Sequence, residues 1–217
     1  MVKNINSDLP IAIGGSAANP ATVGHYNLIE WLLNCGKFSQ VIWIVSGDRE
    51  DKKDLIHADH RMALTLLTFP QDWFLKRDVK FVISFEDVYG KNTPTIDWLR
   101  KIKKMYPDKK IVWYTGIDSV IPNERNNNKS DIETWDDGEE LFKDWNFLVF
   151  PRKGYPDPSS LSLPSNFEVV SAEVPEVSSS MVRQSITEGK PFEHLMMPKA
   201  VEYLKQNGLY DYKTREE

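Results

Sequence analysis

The sequence predicts an α/β fold built on a doubly wound, mostly parallel sheet. Short β-branched apolar runs recur along the chain, as in strands that are covered on both faces. Amphipathic helical segments alternate with these runs, which is typical of a parallel sheet with helices on both sides. The length of 217 residues fits one domain, 1–217, whose C-terminal helical part spans about 176–210.

Each expected element follows from its local pattern. The apolar run Ile11-Ala12-Ile13 is the first expected strand, and the others cover 41–45, 79–83, 110–115, 146–150 and 167–170. The first expected helix opens at Gly24-His25, and the others cover 57–68, 95–105, 139–143, 181–188 and 198–207.

Local signals also set the expected ends of these elements. Thr93 is the expected N-cap of the helix over 95–105, with Pro94 at its first position. Gly208 is expected to end the last helix. Residues 123–137 are polar and predict a surface loop or insertion.

Composition limits the class of protein. The formal net charge of −5 argues against broad electrostatic binding of nucleic acid. No apolar run approaches the roughly 18 residues that a membrane-spanning helix needs, and the polar N-terminus lacks a signal-peptide core. Cys35 is the one cysteine, so no intrachain disulfide can form. We therefore expect a cytoplasmic protein without nucleic-acid or membrane partners, and homo-oligomerisation stays open.

The stretch IAIGGSAANPATVGH, residues 11–25, predicts a phosphate-binding site. A strand, a Gly-rich loop and a helix N-terminus follow one another, with the expected tight turn at Gly14-Gly15. Backbone N–H groups around Ser16 and the helix dipole would attract an anion, and His25 adds a side-chain donor. The alternative is an ordinary loop between a strand and a helix.

A second helix N-terminus lies late in the chain. Ser179 and Ser180 begin it, and Arg183 follows one turn on, which suits the β- and γ-phosphates of a nucleoside triphosphate. The alternative is that the serines only cap the helix and that Arg183 is solvated. Three basic residues between the second strand and the second helix could also close over a triphosphate, although such a charged run is more often a solvated loop; they are Arg49, Lys52 and Lys53.

These motifs resemble those of a known superfamily. Gly14-Gly15, Pro20 and Gly24-His25 are similar to the GGxxxPxxxGH signature of the nucleotidylyltransferases. The chain further resembles the nicotinate-nucleotide adenylyltransferase family in several later segments. These are His60-Arg61, Thr95-Ile96-Asp97, Gly116-Ile117-Asp118, Trp135, Asn146 to Tyr155, Val177 to Arg183 and Val201 to Tyr210.

The resemblance implies a Rossmann-like nucleotidylyltransferase fold that transfers AMP from ATP to nicotinate mononucleotide, giving deamido-NAD and pyrophosphate. The acceptor phosphate is already anionic, so the reaction needs alignment and charge neutralisation and no general base or covalent intermediate. Mg²⁺ would arrive with ATP, held by phosphates and water, and we see no metal-ligand spacing in the sequence.

Pattern and resemblance together give the candidate site residues. The catalytic candidates are His25, Thr22 and Arg183. The candidates for binding ATP are Gly14, Gly15, Ser16, Gly24, His25, Asp118, Ser179, Ser180 and Arg183. The resemblance implies that the pyridine mononucleotide contacts Thr95, Trp135 and Arg152. Two alternatives stay open, since Asp118 could cap the following helix and Trp135 could be a core residue.

Three departures from the family pattern leave the acceptor open. Thr22 replaces the first histidine of the motif, and 49–53 replace a proline-rich segment. Pro94 replaces an aromatic residue and has no N–H to offer a carboxylate. The acceptor could therefore be nicotinamide mononucleotide or another phosphate such as phosphopantetheine. A catalytically degenerate nucleotide sensor is the alternative outside enzymes.

Overall fold

The chain folds around a six-stranded sheet in the order β3-β2-β1-β4-β5-β6, and every neighbouring pair is parallel. The computed structural model describes residues 8–48, 52, 54–70, 78–156, 160–171 and 177–213. The strands are β1 (Ile11–Ser16), β2 (Gln40–Val45), β3 (Lys80–Ser84), β4 (Ile111–Gly116), β5 (Asn146–Phe150) and β6 (Phe167–Val169). The predicted parallel, Rossmann-like architecture is confirmed.

Helices connect the strands and complete the C-terminal part. In the described ranges the α-helices are α1 (Val23–Asn34), α2 (Ala58–Thr68), α3 (Thr95–Met105), α4 (Asp131–Thr134), α5 (Gly138–Asp144), α6 (Ser179–Thr187) and α7 (Pro198–Gln206). Short 3-10 turns lie at 117–119, 124–126, 193–195 and 209–211. None of these helices has the length and apolarity to cross a membrane.

Apolar side chains cover both faces of the sheet, because successive strand residues point to opposite sides. On one face, Trp43 belongs to a buried cluster with Ile29 of α1. On the other face, Ile42 belongs to a buried cluster with Leu99 of α3. A third cluster joins α2, α6 and α7, and this cluster ties the C-terminal helices to the rest of the chain.

The glycine pair lies within a strand, so the predicted tight turn at Gly14-Gly15 is wrong. β1 continues to Ser16, and both glycines pair with β2. A Cβ on Gly14 would lie 2.6 Å from the Tyr114 ring, and a Cβ on Gly15 would lie 2.3 Å from the carbonyl oxygen of Ile44. Close strand packing, rather than a turn, requires glycine at both positions.

The predicted N-cap of α3 and the predicted loop over 123–137 also differ from the structure. The N-cap of α3 is Pro94, while Thr93 donates its N–H and its hydroxyl to Asp87. The polar region 123–137 contains a 3-10 turn and α4, whose N-cap Ser130 is fully buried in a capping box with Glu133. Local hydrogen bonds therefore give this region a structure that its composition does not reveal.

Candidate active site

The candidate site lies at the carboxyl ends of β1, β4 and β5. β1 pairs with β2 on one side and β4 on the other, so the order of the strands reverses between β1 and β4. Ligands of open α/β sheets bind at such a switch point. Ser16 ends β1, Asp118 follows β4, and Arg152 follows β5.

Thr22 and His25 form a capping box at the start of α1. The backbone N–H of Thr22 donates to Nδ1 of His25 at 3.0 Å, and the hydroxyl of Thr22 accepts the N–H of His25 at 3.4 Å. The hydroxyl also lies 3.0 Å from Nδ1. Thr22 is fully buried. Its hydroxyl therefore contacts the imidazole, and its direct donation to a phosphate stays a prediction.

The capping box sets the protonation of the His25 ring. A backbone N–H can only donate, so Nδ1 must be the unprotonated acceptor and Nε2 carries the proton. Burial, and then the positive charges of Arg152 and Lys52, lower the pKa of His25 to about 4. The ring also packs edge-on against Trp43, with 5.1 Å between ring centroids. His25 is thus a neutral Nε2–H donor at physiological pH.

The first turns of α1 and α6 lie side by side. A Cβ on Gly24 would come within 2.6 Å of the carbonyl oxygen of Val177, so only glycine allows this approach. Ser179 donates its hydroxyl to the carbonyl oxygen of Pro20 at 2.7 Å. Arg183 donates to the carbonyl oxygen of Asn19 at 2.7 Å and to the hydroxyl of Ser180 at 3.3 Å. The two segments that are predicted to bind phosphate are therefore adjacent.

The loop between β1 and α1 is held in place through Asn19, which is buried. Its side chain donates to the carbonyl oxygen of Asp54 at 2.9 Å and accepts the N–H of Ile56 at 3.3 Å. The hydroxyl of Tyr210 also donates to it, at 2.9 Å. Ser16 accepts the N–H of Ala18 at the start of the same loop. The loop is therefore tied to the segment just before α2 and to the C-terminal turn.

Asp118 and Arg152 form an ion pair of 3.0 Å across the ends of β4 and β5. Gly116 makes room for it, since a Cβ there would lie 2.3 Å from the carboxylate of Asp118. From the sequence, Asp118 is expected to bind ATP and Arg152 is expected to bind the acceptor. The two predicted subsites would therefore meet at this pair.

Of the predicted acceptor residues, Thr95 and Trp135 lie on the face of the sheet that α3 covers, whereas Arg152 lies at the end of β5 beside Asp118. Thr95 begins α3, and no side chain caps this helix. Trp135 is half-buried against the α3 face of the core, so it is neither fully exposed nor a fully buried core residue. Among the basic loop residues, Lys52 lies close enough for its charge to act on His25, whereas Arg49 and Lys53 lie outside the described residues.

Arg61 is a buried residue of the site whose role sequence reasoning missed. Its guanidinium donates to the carbonyl oxygens of Ala17, Ser46 and Val88 at 3.1, 2.6 and 3.0 Å. It therefore joins the loops that follow β1, β2 and β3. The sequence did contain one sign of this role. Arg61 lies three positions before Leu64, so the two residues share the buried face of α2, where a charged residue is unusual.

The described residues contain no group of three or more His, Cys, Asp or Glu side chains that could hold a metal ion. Backbone N–H groups at two helix starts, a neutral imidazole N–H and nearby positive charges are instead suited to oxyanions. Such a site handles the phosphates of a nucleotide, and the protein is a nucleotidyltransferase. The cytidylyltransferase-like family model matches residues 13–185, and the chain belongs to that family.

Two relatives of this chain carry the same name. The chain is 29% identical over 210 residues to a probable nicotinate-nucleotide adenylyltransferase of Carboxydothermus hydrogenoformans, covering 92% of this chain and 97% of that protein. It is 28% identical over 204 residues to a protein of the same name from Thermus thermophilus, covering 92% of this chain and 98% of that protein.

The fold is also similar to that of a solved structure. The nicotinic acid mononucleotide adenylyltransferase of Plasmodium falciparum, complexed with NaAD, superposes with a TM-score of 0.77. The two sequences are 21% identical, and the match covers 94% of this chain and 98% of the other. Because the two sequences are only 21% identical, this superposition supports the similarity of the fold alone.

Proposed function

We propose that the protein transfers AMP from ATP to nicotinate mononucleotide, forming deamido-NAD and pyrophosphate. One observation carries the proposal: the first turns of α1 and α6 adjoin, and the Nε2–H donor of His25 lies in the first of them. Two adjacent helix starts suit a triphosphate, because both present N–H groups and the positive ends of their dipoles. The names of the relatives support nicotinate mononucleotide as the acceptor.

In this reaction an oxygen of the acceptor phosphate bonds to the α-phosphorus of ATP. The bond from that phosphorus to the bridging oxygen breaks, and pyrophosphate leaves with the electron pair. His25 donates its Nε2–H to an α-phosphate oxygen, where a fixed donor stabilises the developing charge. Ser180 and Arg183 at the start of α6 bind the leaving phosphates, and Asp118 binds the ribose. Mg²⁺ would enter with ATP rather than on side chains of the protein, and would supply positive charge that offsets that of the phosphates.

The start of α3 is the proposed acceptor subsite. The first N–H groups of a helix have no partner within it, and no side chain caps α3. A pyridine carboxylate would accept these N–H groups and gain from the helix dipole. Trp135 stacks on the pyridine ring in this arrangement, and Arg152 binds the acceptor phosphate beside the ion pair with Asp118.

Pyrophosphate release tests the proposal. The purified protein receives Mg²⁺ and either ATP or CTP, with nicotinate mononucleotide, nicotinamide mononucleotide or phosphopantetheine. We expect equimolar pyrophosphate and deamido-NAD with ATP and nicotinate mononucleotide. Measurable binding of ATP without turnover of any acceptor would contradict an enzymatic role and favour the nucleotide sensor. Turnover with CTP alone would contradict the choice of ATP.

A further inference from the structure

We infer that Asp87, a residue outside both expected substrate subsites, positions the acceptor loop and thereby sets the affinity for the acceptor. The acceptor loop is the segment 85–94 between β3 and α3. This inference rests on the proposed function, because it takes the start of α3 as the acceptor subsite.

Asp87 is a buried carboxylate, 5% exposed, at the centre of the acceptor loop. One oxygen accepts the backbone N–H of Thr93 at 3.0 Å and the indole N–H of Trp98 at 3.0 Å. The other oxygen accepts the hydroxyl of Thr93 at 2.7 Å. One side chain thus joins the end of the loop to the first turns of α3.

This arrangement explains why α3 needs no cap of its own. Asp87 satisfies the N–H of Thr93, just before the helix, and holds the loop in the orientation in which α3 begins. The first N–H groups of α3 then stay available to a ligand. A cap from a side chain within the helix start would instead compete with the ligand for those groups.

A second set of contacts fixes the acceptor loop to the rest of the site. The N–H of Asp48 donates to the carbonyl oxygen of Gly90 at 2.8 Å, and the N–H of Asn92 donates to the carbonyl oxygen of Asp48 at 3.2 Å. Arg61 donates to the carbonyl oxygen of Val88 and also to that of Ala17, in the loop between β1 and α1. These contacts do not involve the side chain of Asp87, so the loop between β1 and α1 should keep its anchor in Asp87→Ala.

Whether removal of Asp87 weakens or strengthens acceptor binding distinguishes a positioning role from a direct effect of its negative charge. The acceptor is an anion, so removal of a nearby negative charge alone would strengthen its binding. If Asp87 positions the loop, its removal must weaken binding, because the acceptor then has to order the loop as it binds. Asp87→Ala should therefore raise the acceptor KM about tenfold and leave the ATP KM within about twofold.

Asp87→Asn is the conservative variant. Its amide oxygen can accept the N–H groups of Thr93 and Trp98, and its NH₂ can donate to the Thr93 hydroxyl. It should therefore restore most of the acceptor affinity without the charge. Glu86→Ala is the matched control, since Glu86 is an exposed neighbour paired with Lys101. It should leave both KM values unchanged.

The experiment measures KM for ATP and for the acceptor, together with hydrogen exchange over 85–98, in all three variants and the wild type. Equal rises in both KM values, or an unchanged or lower acceptor KM in Asp87→Ala, would overturn the inference. If Asp87→Ala does not fold, Thr93→Val removes one donor without changing shape, and an unchanged acceptor KM there would have the same consequence.

The two proposals fail in different ways. Absence of turnover in the wild type with every acceptor would refute the proposed function. Hydrogen exchange would still test the loop, since Asp87→Ala should increase exchange over 85–98 relative to Glu86→Ala. Equal exchange in these two variants would refute the positioning role independently of activity.

Discussion

The ring nitrogen Nδ1 of His25 accepts the backbone N–H of Thr22 at 3.0 Å. This contact does two things at once, since it caps α1 and places the ring proton on Nε2. A histidine that sequence patterns mark as a phosphate donor is therefore also part of the local structure. Its removal should affect both catalysis and stability, and the two effects can be separated.

His25→Ala should lower kcat by roughly 10²–10³, the scale for loss of one preorganised donor in the transition state. Loss of the capping box should cost about 1 kcal/mol of unfolding free energy. Thr22→Val removes the hydroxyl but leaves the N–H that holds Nδ1, so we expect a similar stability loss with kcat within about tenfold of wild type. Steady-state kinetics and urea unfolding of both variants check this. Equal losses of kcat would show that His25 acts only as a cap.

The lowered pKa of His25 predicts a pH dependence of stability. Its pKa is about 4 in the folded protein against 6.5 for the ordinary side chain, so the unfolded state binds more protons between these values. The stabilisation by neutral His25 is therefore complete above pH 6.5 and is lost as the pH falls towards 4. The difference in unfolding free energy between wild type and His25→Ala should shrink over this range.

The lowered pKa of His25 should also be measurable on the ring itself. In NMR spectra, the His25 ring should stay neutral, with its proton on Nε2, from pH 8 down to about pH 5. His25→Ala assigns the signal by its disappearance. A midpoint near 6.5 would contradict the half-buried, capped ring that the site requires.

Gly24→Ala should destabilise the protein, although replacing a helical glycine with alanine usually stabilises it. Alanine in place of a helical glycine normally stabilises by up to about 1 kcal/mol. Here the new Cβ would lie 2.6 Å from the carbonyl oxygen of Val177, and separation of α1 from α6 should cost about 1–3 kcal/mol and weaken ATP binding. Gly90→Ala is the control, because the nearest atom to its Cβ is 4.0 Å away. Thermal unfolding and ATP titration measure both effects, and stabilisation by Gly24→Ala would contradict the close approach.

Elements with a clear local period were predictable from the sequence. β5 lies at the predicted residues, and α3 was predicted from the apolar spacing of Ile96, Leu99 and Ile102, all of which are buried. The pairing of residues 14–25 with 177–183 in one site also followed from the two motifs. Their physical contact depends on the tertiary fold.

What the sequence could not predict depends on contacts between distant residues. Gly14 serves the packing of Tyr114, and Asn19 receives the hydroxyl of Tyr210. The role of Asp87 depends on Trp98, a partner on the next helix. No local pattern marks such residues. The single-domain organisation, the cytoplasmic location, the oligomeric state and the individual roles of the site residues stay predictions.

The most direct test is the ratio of kcat/KM for nicotinate mononucleotide to that for nicotinamide mononucleotide, measured with ATP and Mg²⁺ by dinucleotide formation. A carboxylate at the uncapped start of α3 meets N–H donors, whereas the NH₂ of the amide would face them without an acceptor. We predict a ratio above about ten, which corresponds to roughly 1.4 kcal/mol. A ratio at or below one, or no dinucleotide from either substrate, would contradict the account, and an inverted ratio would indicate that Pro94 removes the donor on which acid selectivity depends.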